Sequence, residues 1–176
     1  MQQKFQPTLQ NELVLLAPLA ETDFERLFAV ASDPLIWEQH PNKNRYQRQP
    51  FQNYFEGALQ SGGALLVTDK ASNEIVGCSR FYDYNEHTQT VLIGYTFIAR
   101  KFWGRGYNQA MKTLMITHAF QFAATILFHI GATNFRSQKA IEKLGAIKIR
   151  EINIAYHGEP NRDNFEYELK REHWKI

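Results

Sequence analysis

The chain has 176 residues, of which 44% are hydrophobic and 14% are aromatic, so it can build the core of one ordinary domain. The formal net charge is +2, and acidic and basic residues are interspersed, which argues against a nucleic-acid-binding protein. The apolar runs are far shorter than the roughly 18 residues that span a bilayer, and the polar N-terminus has no signal core. We therefore expect one domain over residues 1–176, in the cytoplasm, with no membrane partner.

Cys78 is the single cysteine of the chain. A disulfide framework or a multi-cysteine metal site within one chain is therefore excluded. Cys78 lies in an apolar and aromatic run, which favours a buried structural thiol over a nucleophile. No spacing of His, Asp and Glu suggests a metal ligand set, and we expect no metal cofactor.

The first half of the chain predicts a strand, two helices and an antiparallel meander. Residues 13–16 form a short apolar strand, and Thr22 with Glu25 resembles a capping box that opens a helix. Pro50 suits the first turn of a second helix, which ends near Gly62. Three β-rich runs separated by short polar turns then predict antiparallel strands at residues 64–68, 75–84 and 90–98.

The second half alternates strands and helices. Apolar residues recur at helical spacing over residues 106–122, and His118 falls on that apolar face, typical of a hydrogen-bonded core histidine. A strand at 126–130 and a helix at 134–144, ended by Gly145, follow. Two closing strands are predicted at 147–156 and 165–169. This order indicates an α/β fold with a mixed, mostly antiparallel central sheet and flanking helices, not a doubly wound sheet.

The segment 98–108 is the most informative, because a strand runs into a basic, glycine-containing loop and a helix leaves it. Free amides at a helix N-terminus bind phosphate oxygens, and Gly104 and Gly106 allow close backbone approach. Gln109 stands where a Rossmann fingerprint needs a third glycine, and no Walker lysine is present. A phosphate-binding loop and a plain turn before a surface helix are supported equally by this segment alone. The basic residues of the loop are Arg100, Lys101 and Arg105.

Four motifs in a fixed order resemble the GNAT acetyltransferase superfamily: Gly94-Tyr-Thr-Phe-Ile98, Phe102-Trp-Gly-Arg-Gly-Tyr107, Asn134-Phe-Arg-Ser137 and Glu142-Lys-Leu-Gly145. The resemblance covers nearly the whole chain and is strongest to the branch that contains the ribosomal-protein N-terminal acetyltransferases. It implies the GNAT fold and direct transfer of the acetyl group of acetyl-CoA to a primary amine in a ternary complex. The amine would belong to a small molecule or a protein N-terminus, and the protein would be a monomer or a homodimer. The alternative is a non-catalytic acyl-CoA-binding sensor.

The resemblance also implies roles for individual residues. Ser137 would lie beside the thioester sulfur and act as the catalytic acid, and Asn134 would hydrogen-bond the pantetheine arm. The strand before the loop would diverge from its neighbour and offer backbone groups to the same arm, one of them an oxyanion-hole amide. The backbone groups implied for the coenzyme are those of Phe97 and Ile98 for pantetheine, and of Arg105, Gly106 and Asn108 for pyrophosphate.

The chain departs from the family pattern at several positions. Trp103 replaces the Gln or Arg that opens the loop motif, and Asn108 replaces a small residue. A register starting at Lys101 fits the letters better, but the spacing from Gly94 favours Trp103. Ile141 and Leu92 replace the usual Tyr acid and Glu base. The departure at Ile141 makes Ser137 the better acid candidate. The remaining base candidates by type, each more simply interpreted as a solvated turn residue, are Glu86, His87, Tyr156 and His157.

The connection between the first two helices is implied to cover the acceptor cleft. It contains Trp37, His40 and Arg45, and Trp37 is equally well interpreted as a core anchor. Arg136 and Lys139 would either reach coenzyme phosphates or face solvent from a short helix. The sequence does not identify the amine.

Overall fold

Eight strands form one sheet with helices on both faces. In the computed structural model, which describes residues 2–155 and 158–175, the strands are β1 (Leu9–Gln10), β2 (Val14–Pro18), β3 (Ala64–Asp69), β4 (Ile75–Asn85), β5 (Thr90–Ile98), β6 (Thr125–Gly131), β7 (Ile147–Ile154) and β8 (Arg162–Lys170). The helices are α1 (Gln2–Phe5), α2 (Phe24–Ala31), α3 (Arg48–Ser61), α4 (Tyr107–Ala119) and α5 (Phe135–Glu142).

The order across the sheet is β1-β2-β3-β4-β5-β6-β8-β7. β5 and β6 run parallel, and the other neighbouring pairs run antiparallel. The predicted mixed, mostly antiparallel α/β sheet is therefore confirmed, as is the meander of β3, β4 and β5. β8 lies between β6 and β7, although it follows β7 in the chain.

Apolar side chains cover both faces of the sheet, because successive strand residues point to opposite sides. On one face, which we call the α4 face, Met111 and Met115 pack in one cluster with strand residues such as Ile93 and Phe128. On the other, the α3 face, α2 and α3 pack over Cys78 and Phe97. Burial of each large apolar side chain stabilises the fold by about 1.5–3 kcal/mol.

The predicted start of α2 needs correction. The helix is preceded by a 3₁₀ turn, Glu21–Asp23, and the carboxylate of Asp23 accepts a hydrogen bond from the amide of Ala20 at 3.0 Å. Asp23 therefore satisfies the free amide at this end, and the predicted capping box of Thr22 and Glu25 is not formed. α3 and α5 end as predicted, with Gly62 (φ 64°) and Gly145 (φ 92°) in the left-handed region.

Two features near the chain ends differ from the sequence prediction. β1 has only two residues, too few to give a periodic pattern. The strand predicted at 147–156 ends at Ile154, and Tyr156 and His157 lie outside the described residues. Within residues 2–155 and 158–175, no helix has the length and apolar character needed to cross a membrane.

The middle of the sheet positions the site. β5 and β6 pair only where Thr90–Leu92 run beside Thr125–Leu127, and the rest of β5 has no pairing with β6. α4 follows the end of β5 and α5 follows the end of β6. The two diverging strands and the starts of these two helices thus enclose a gap, which we call the β5–β6 opening.

Candidate functional site

A β-bulge in β5 lies beside the β5–β6 opening. Phe97 pairs with Cys78 and Gly94 pairs with Arg80, so two residues of β5, Tyr95 and Thr96, stand opposite the single residue Ser79. Tyr95 has a φ of 52°, in the left-handed region. A bulge of this kind bends the strand that carries it. The local sequence of β5 therefore contributes directly to its divergence from β6.

The N-terminus of α4 is uncovered. Gly106 precedes the helix with a φ of 84°, and a Cβ added there or at Gly104 would meet no atom within 4 Å. The first amides of a helix have no intrahelical partner and carry the positive end of its dipole. Arg105 is exposed and Asn108 is half-buried at this end. The loop therefore has the free amides and the unobstructed space that a phosphate group requires.

The other basic residues of the loop already have acidic neighbours. Arg100 forms an ion pair with Asp33, and Lys101 forms one with Glu74. Such exposed pairs contribute only about 0–1 kcal/mol to stability. Because Arg100 and Lys101 are already paired, the free backbone amides are the better candidates to bind a phosphate.

Ile98 and Phe97 present their backbone groups to different neighbours. The amide of Ala99 donates to Val76 on β4 at 2.8 Å, so strand alternation turns the backbone of Phe97 toward β4 as well. The backbone of Ile98 faces the opening, where the indole of Trp103 donates to its carbonyl oxygen at 2.8 Å. Of the two strand residues predicted for pantetheine, Ile98 thus has its amide on the open side.

Trp103 and Arg136 connect the two sides of the opening. The guanidinium carbon of Arg136 lies 3.9 Å from the centre of a Trp103 ring, and its Nη2 donates to Glu38 at 2.7 Å. Arg136 is therefore neither a free solvent-facing side chain nor an unengaged phosphate ligand. Lys139, the other basic candidate of α5, is exposed.

Asn134 and Ser137 lie at the start of α5. The side-chain oxygen of Asn134 accepts a hydrogen bond from the Ser137 amide at 3.2 Å, which is a helix N-cap. The cap uses the oxygen of Asn134, and its NH₂ group remains a donor. The Ser137 side chain is half-buried. The Asn-x-x-Ser spacing therefore has a structural role as well as the predicted chemical one.

Six side chains on the α3 face form what we call the arginine cluster: His40, Arg45, Tyr54, Arg80, Tyr95 and Glu159. Glu159 accepts two hydrogen bonds from Arg45, at 2.8 Å from Nε and 2.7 Å from Nη2. This contact ties the loop between β7 and β8 to the segment before α3. Trp37 is buried against Phe97, and its indole donates to Ala31 at 2.8 Å, so it is a core anchor.

His40 is a neutral member of the arginine cluster. Its Nδ1 accepts from the amide of Asn42 at 2.9 Å, and its Nε2 lies 3.2 Å from Nη1 of Arg45. Burial, followed by the neighbouring charge of Arg45, holds the pKa of His40 well below its usual value. Because Nδ1 accepts from Asn42, the neutral ring carries its proton on Nε2, and a second proton on Nδ1 would face the Asn42 amide without an acceptor.

Arg80 is a buried cation that the sequence interpretation missed. It is 3% exposed, its Nη2 donates to the carbonyl oxygen of Tyr54 at 3.1 Å, and its Nε has no hydrogen-bond partner. Its guanidinium carbon lies 3.7 Å from the ring centre of Tyr95. An arginine in the apolar run of β4 was the available signal.

Lys112 is a second buried cation, on the α4 face of the same bulge. It is 3% exposed and donates to Ser79 Oγ at 3.1 Å and to Thr96 Oγ1 at 2.6 Å. Burial lowers the pKa of Lys112 to about 7. Met115 and Ile116, three and four residues after Lys112, are buried on the same face of α4, and this spacing was the sequence signal that Lys112 is buried too.

The remaining candidates are separated from the opening or are inert. Glu86 and His87 are exposed in the turn after β4. His118 is half-buried, and its Nε2 lies 2.6 Å from the carbonyl oxygen of Lys4. Cys78 is fully buried, and burial raises the pKa of its thiol, as expected of a structural cysteine. The described residues contain no group of three or more His, Cys, Asp or Glu arranged to hold a metal ion.

Comparison with known proteins identifies the family. The acetyltransferase (GNAT) domain family matches residues 14–147, and the chain belongs to the GNAT acetyltransferase family. Solved structures share the fold. A GCN5-related N-acetyltransferase from Brucella melitensis has a TM-score of 0.79 and 19% identity, over 96% of this chain and 80% of that chain.

Two further solved structures share the fold. A GNAT-family acetyltransferase from Bacillus anthracis has a TM-score of 0.76 and 19% identity, over 94% of this chain and 99% of that chain. RimJ from Mycobacterium smegmatis, in complex with CoA-disulfide, has a TM-score of 0.75 and 15% identity, over 96% of this chain and 90% of that chain. The predicted family is confirmed by the domain match, and the three solved structures share its fold.

Proposed function

We propose that this protein transfers the acetyl group of acetyl-CoA to a primary amine. The observation that carries the proposal is the continuity of the β5–β6 opening with the uncovered N-terminus of α4 at Gly106. Such a site offers a slot between two strands for an extended chain and free amides for a pyrophosphate at one end. Family membership supports the same coenzyme.

The residues present fit that coenzyme. The amides at Arg105, Gly106 and Asn108 would hold the pyrophosphate, because they lie in or beside the uncovered first turn of α4. The NH₂ group of Asn134 would hold the pantetheine arm, and the Ile98 amide would face the thioester at the end of that arm. Acetyl-CoA would supply an activated acetyl group.

The protein would contribute orientation, electrostatic stabilisation and proton transfer. The Ile98 amide, which faces the opening, would stabilise negative charge on the thioester oxygen. Ser137 would protonate the departing thiolate, since Ile141 stands where many family members carry a Tyr. The amine would attack directly, because Cys78 is buried and no activated thiol is present among the described residues.

A thermal-shift experiment tests the coenzyme site and its register. Acetyl-CoA should raise the Tm of the wild type, a stabilisation of about 2.7 kcal/mol at a hundredfold excess over Kd. Gly106→Val should lose most of this shift, because its branched side chain would fill the space in front of the amides. Gly104→Val is the matched control, since it has a similar positive φ (69°) and the same open surroundings, and it should keep the shift. Equal loss in both variants would support the register that begins at Lys101.

Coenzyme A release with a panel of amines separates an enzyme from an acyl-CoA sensor. Leu92 and Ile141, in place of the usual base and acid, favour the sensor, whereas the retained Asn134 and Ser137 favour the enzyme. We expect thiol release with at least one small-molecule amine or peptide N-terminus. Tight acetyl-CoA binding without release for any amine would contradict the enzyme proposal.

A further inference from the structure

The arginine cluster contains one more guanidinium group than it has carboxylates. It contains two guanidinium groups, those of Arg45 and Arg80, and a single carboxylate, that of Glu159. His40 does not alter this balance, because its lowered pKa keeps it neutral. Glu159 is fully engaged with Arg45 and with the side chain of Asn42. The positive charge of Arg80 is therefore not neutralised within the cluster.

The guanidinium of Arg80 is buried with unused hydrogen-bond donors, which suits it to bind an anion. A guanidinium has five N–H donors and stays protonated in proteins, and burying its charge without a partner is costly. Among residues 2–155 and 158–175, Arg80 makes one hydrogen bond, to the carbonyl oxygen of Tyr54, and its buried Nε makes none. Within the described part of the chain, no Asp or Glu forms an ion pair with it. The stacked ring of Tyr95 fixes its plane without neutralising it.

Arg80 also lies next to the place where the acetyl group would be held. It pairs across the sheet with Gly94, at the start of the bulge in β5. The segment Gly94, Tyr95 and Thr96 is partly exposed, in contrast to the buried residues that precede it. A ligand that reaches this segment on the α3 face therefore meets the ring of Tyr95 and the guanidinium of Arg80 together.

The neighbouring Arg45 shows how this cluster binds a carboxylate. Glu159 engages Arg45 through two parallel hydrogen bonds, the geometry that arginine prefers for carboxylates. Glu159 and Asn42 also line an open groove of about 640 Å³ between residues 41–53 and 158–162. The groove therefore meets the arginine cluster at Glu159, the carboxylate that is bound to Arg45.

We propose that the acceptor amine carries a carboxylate group and that Arg80 binds this carboxylate, so that the protein acetylates amino-acid-like substrates. The inference rests on the proposed acetyl transfer and adds the chemical class of the acceptor. The carboxylate would supply the missing negative charge of the cluster and orient the amine toward the bulge. Arg80 is then a specificity-determining residue.

Matched acceptor triads test the inference. Alanine, leucine and phenylalanine would each be compared with the corresponding carboxamide and decarboxylated amine, with kcat/KM measured by coenzyme A release. The free acid should be preferred over its carboxamide by roughly tenfold or more, as expected for a hydrogen-bonded charge pair. Arg80→Met should reduce this ratio to about one, and Arg80→Lys should retain part of it, since charge without the planar fork binds carboxylate less well.

Arg48→Met is the matched control. Arg48 also stacks on an aromatic ring, that of Phe28 at 4.8 Å, but it lies on the surface of α3 with its side chain 58% exposed. Its acid-to-amide ratio should equal that of the wild type. If Arg80→Met fails to fold, the wild-type ratio and the Arg80→Lys ratio still decide the question.

The outcomes separate this inference from the proposed function. Acetylation of carboxamides and simple amines as fast as of the acids would overturn the inference and leave acetyl transfer standing. An acid preference that survives in Arg80→Met would overturn the role of Arg80. Acetyl-CoA binding without coenzyme A release for any probe would overturn both. An acid preference that disappears in Arg80→Met and persists in Arg48→Met supports the proposal.

Discussion

Lys112 and Arg80 contact the same β-bulge from opposite faces of the sheet. Both are buried cations, but the cost of burying the charge is met differently at the two positions. Each is 3% exposed, and neither has a carboxylate partner among the described residues. Lys112 lies among hydroxyl groups on the α4 face, whereas Arg80 lies among aromatic rings on the α3 face. The two cations are therefore equally buried and differ in their chemistry, one being an ammonium group and the other a guanidinium.

The difference lies in whether the cation can lose its proton. Burial lowers the pKa of Lys112 to about 7, so this side chain escapes the cost of a buried charge by becoming neutral. A guanidinium does not have this option, because it stays protonated in proteins. One face of the bulge thus titrates near neutral pH, and the other remains permanently positive and suited to an anion.

The largest expected effect concerns Ser137 on α5. Lys112 and Arg80 lie on the β5 side of the β5–β6 opening, whereas Ser137 lies on the β6 side. If Ser137 protonates the thiolate, Ser137→Ala should lower kcat by about 10²–10⁴ with little change in coenzyme affinity. Ser61→Ala, which removes a hydroxyl that bonds Ala58 on α3, is the control and should keep kcat. Retained kcat in Ser137→Ala would reduce Ser137 to a packing or pantetheine contact.

Stability against pH tests the behaviour of Lys112. Between pH 7 and the ordinary lysine pKa, the unfolded chain binds a proton that the folded protein lacks, so the wild-type free energy of unfolding rises with pH. The contribution of Lys112 should rise by about 0.7 kcal/mol per pH unit at pH 7 and by about 1.4 kcal/mol per pH unit above pH 8, or about 2 kcal/mol in total from pH 7 to 9. Lys112→Met should be more stable than the wild type near pH 6, and this advantage should shrink as pH increases.

Urea unfolding at several pH values measures this difference. Lys70→Met, which changes an exposed lysine, should differ from the wild type by the same amount at every pH. Lys112 contacts the hydroxyls of Ser79 and Thr96, and the titratable group that acts on it electrostatically is the thiol of Cys78 on the other face of the sheet. None of the three carries a charge at neutral pH, since burial raises the pKa of the thiol. A constant difference between the wild type and Lys112→Met from pH 6 to 9 would show that Lys112 remains charged, like Arg80.

Glu159→Gln would convert Arg45 into a second unpaired guanidinium. Arg45 is buried, and Glu159 is the carboxylate that neutralises it. Leaving that charge without its partner should cost about 1–3 kcal/mol of unfolding free energy. Glu151→Gln is the control, because Glu151 pairs with Lys148 at the surface, and it should cost under about 1 kcal/mol. An unchanged stability in Glu159→Gln would mean that a buried guanidinium needs no anion here, which would also weaken the argument for Arg80.

The sequence predicts the local parts of this site better than its long-range parts. The basic loop before α4 and the Asn-x-x-Ser start of α5 are contiguous, so their glycine and cap chemistry can be interpreted directly. The position of β8 between β6 and β7 and the pairing of Glu159 with Arg45 join residues far apart in the chain. Lys112 and Arg80 each interrupt an apolar pattern by one residue, and an isolated polar position does not reveal whether it is buried.

The smallest expected effects concern the proton that the attacking amine must lose. Leu92 replaces the usual Glu, and Glu159 is bound to Arg45. His40 is kept neutral by burial and by the charge of Arg45, and its Nδ1 already accepts from the Asn42 amide, so the described acceptor face offers no free base. We expect the proton to leave through water, and the rate to rise with pH toward the pKa of the amine. Glu86→Gln, His87→Ala and His157→Ala should each lower kcat/KM by less than about tenfold, under roughly 1.4 kcal/mol in the barrier. The measurement is kcat/KM against pH for these variants, and a loss of about a thousandfold with the alkaline limb abolished in any one would identify a dedicated base.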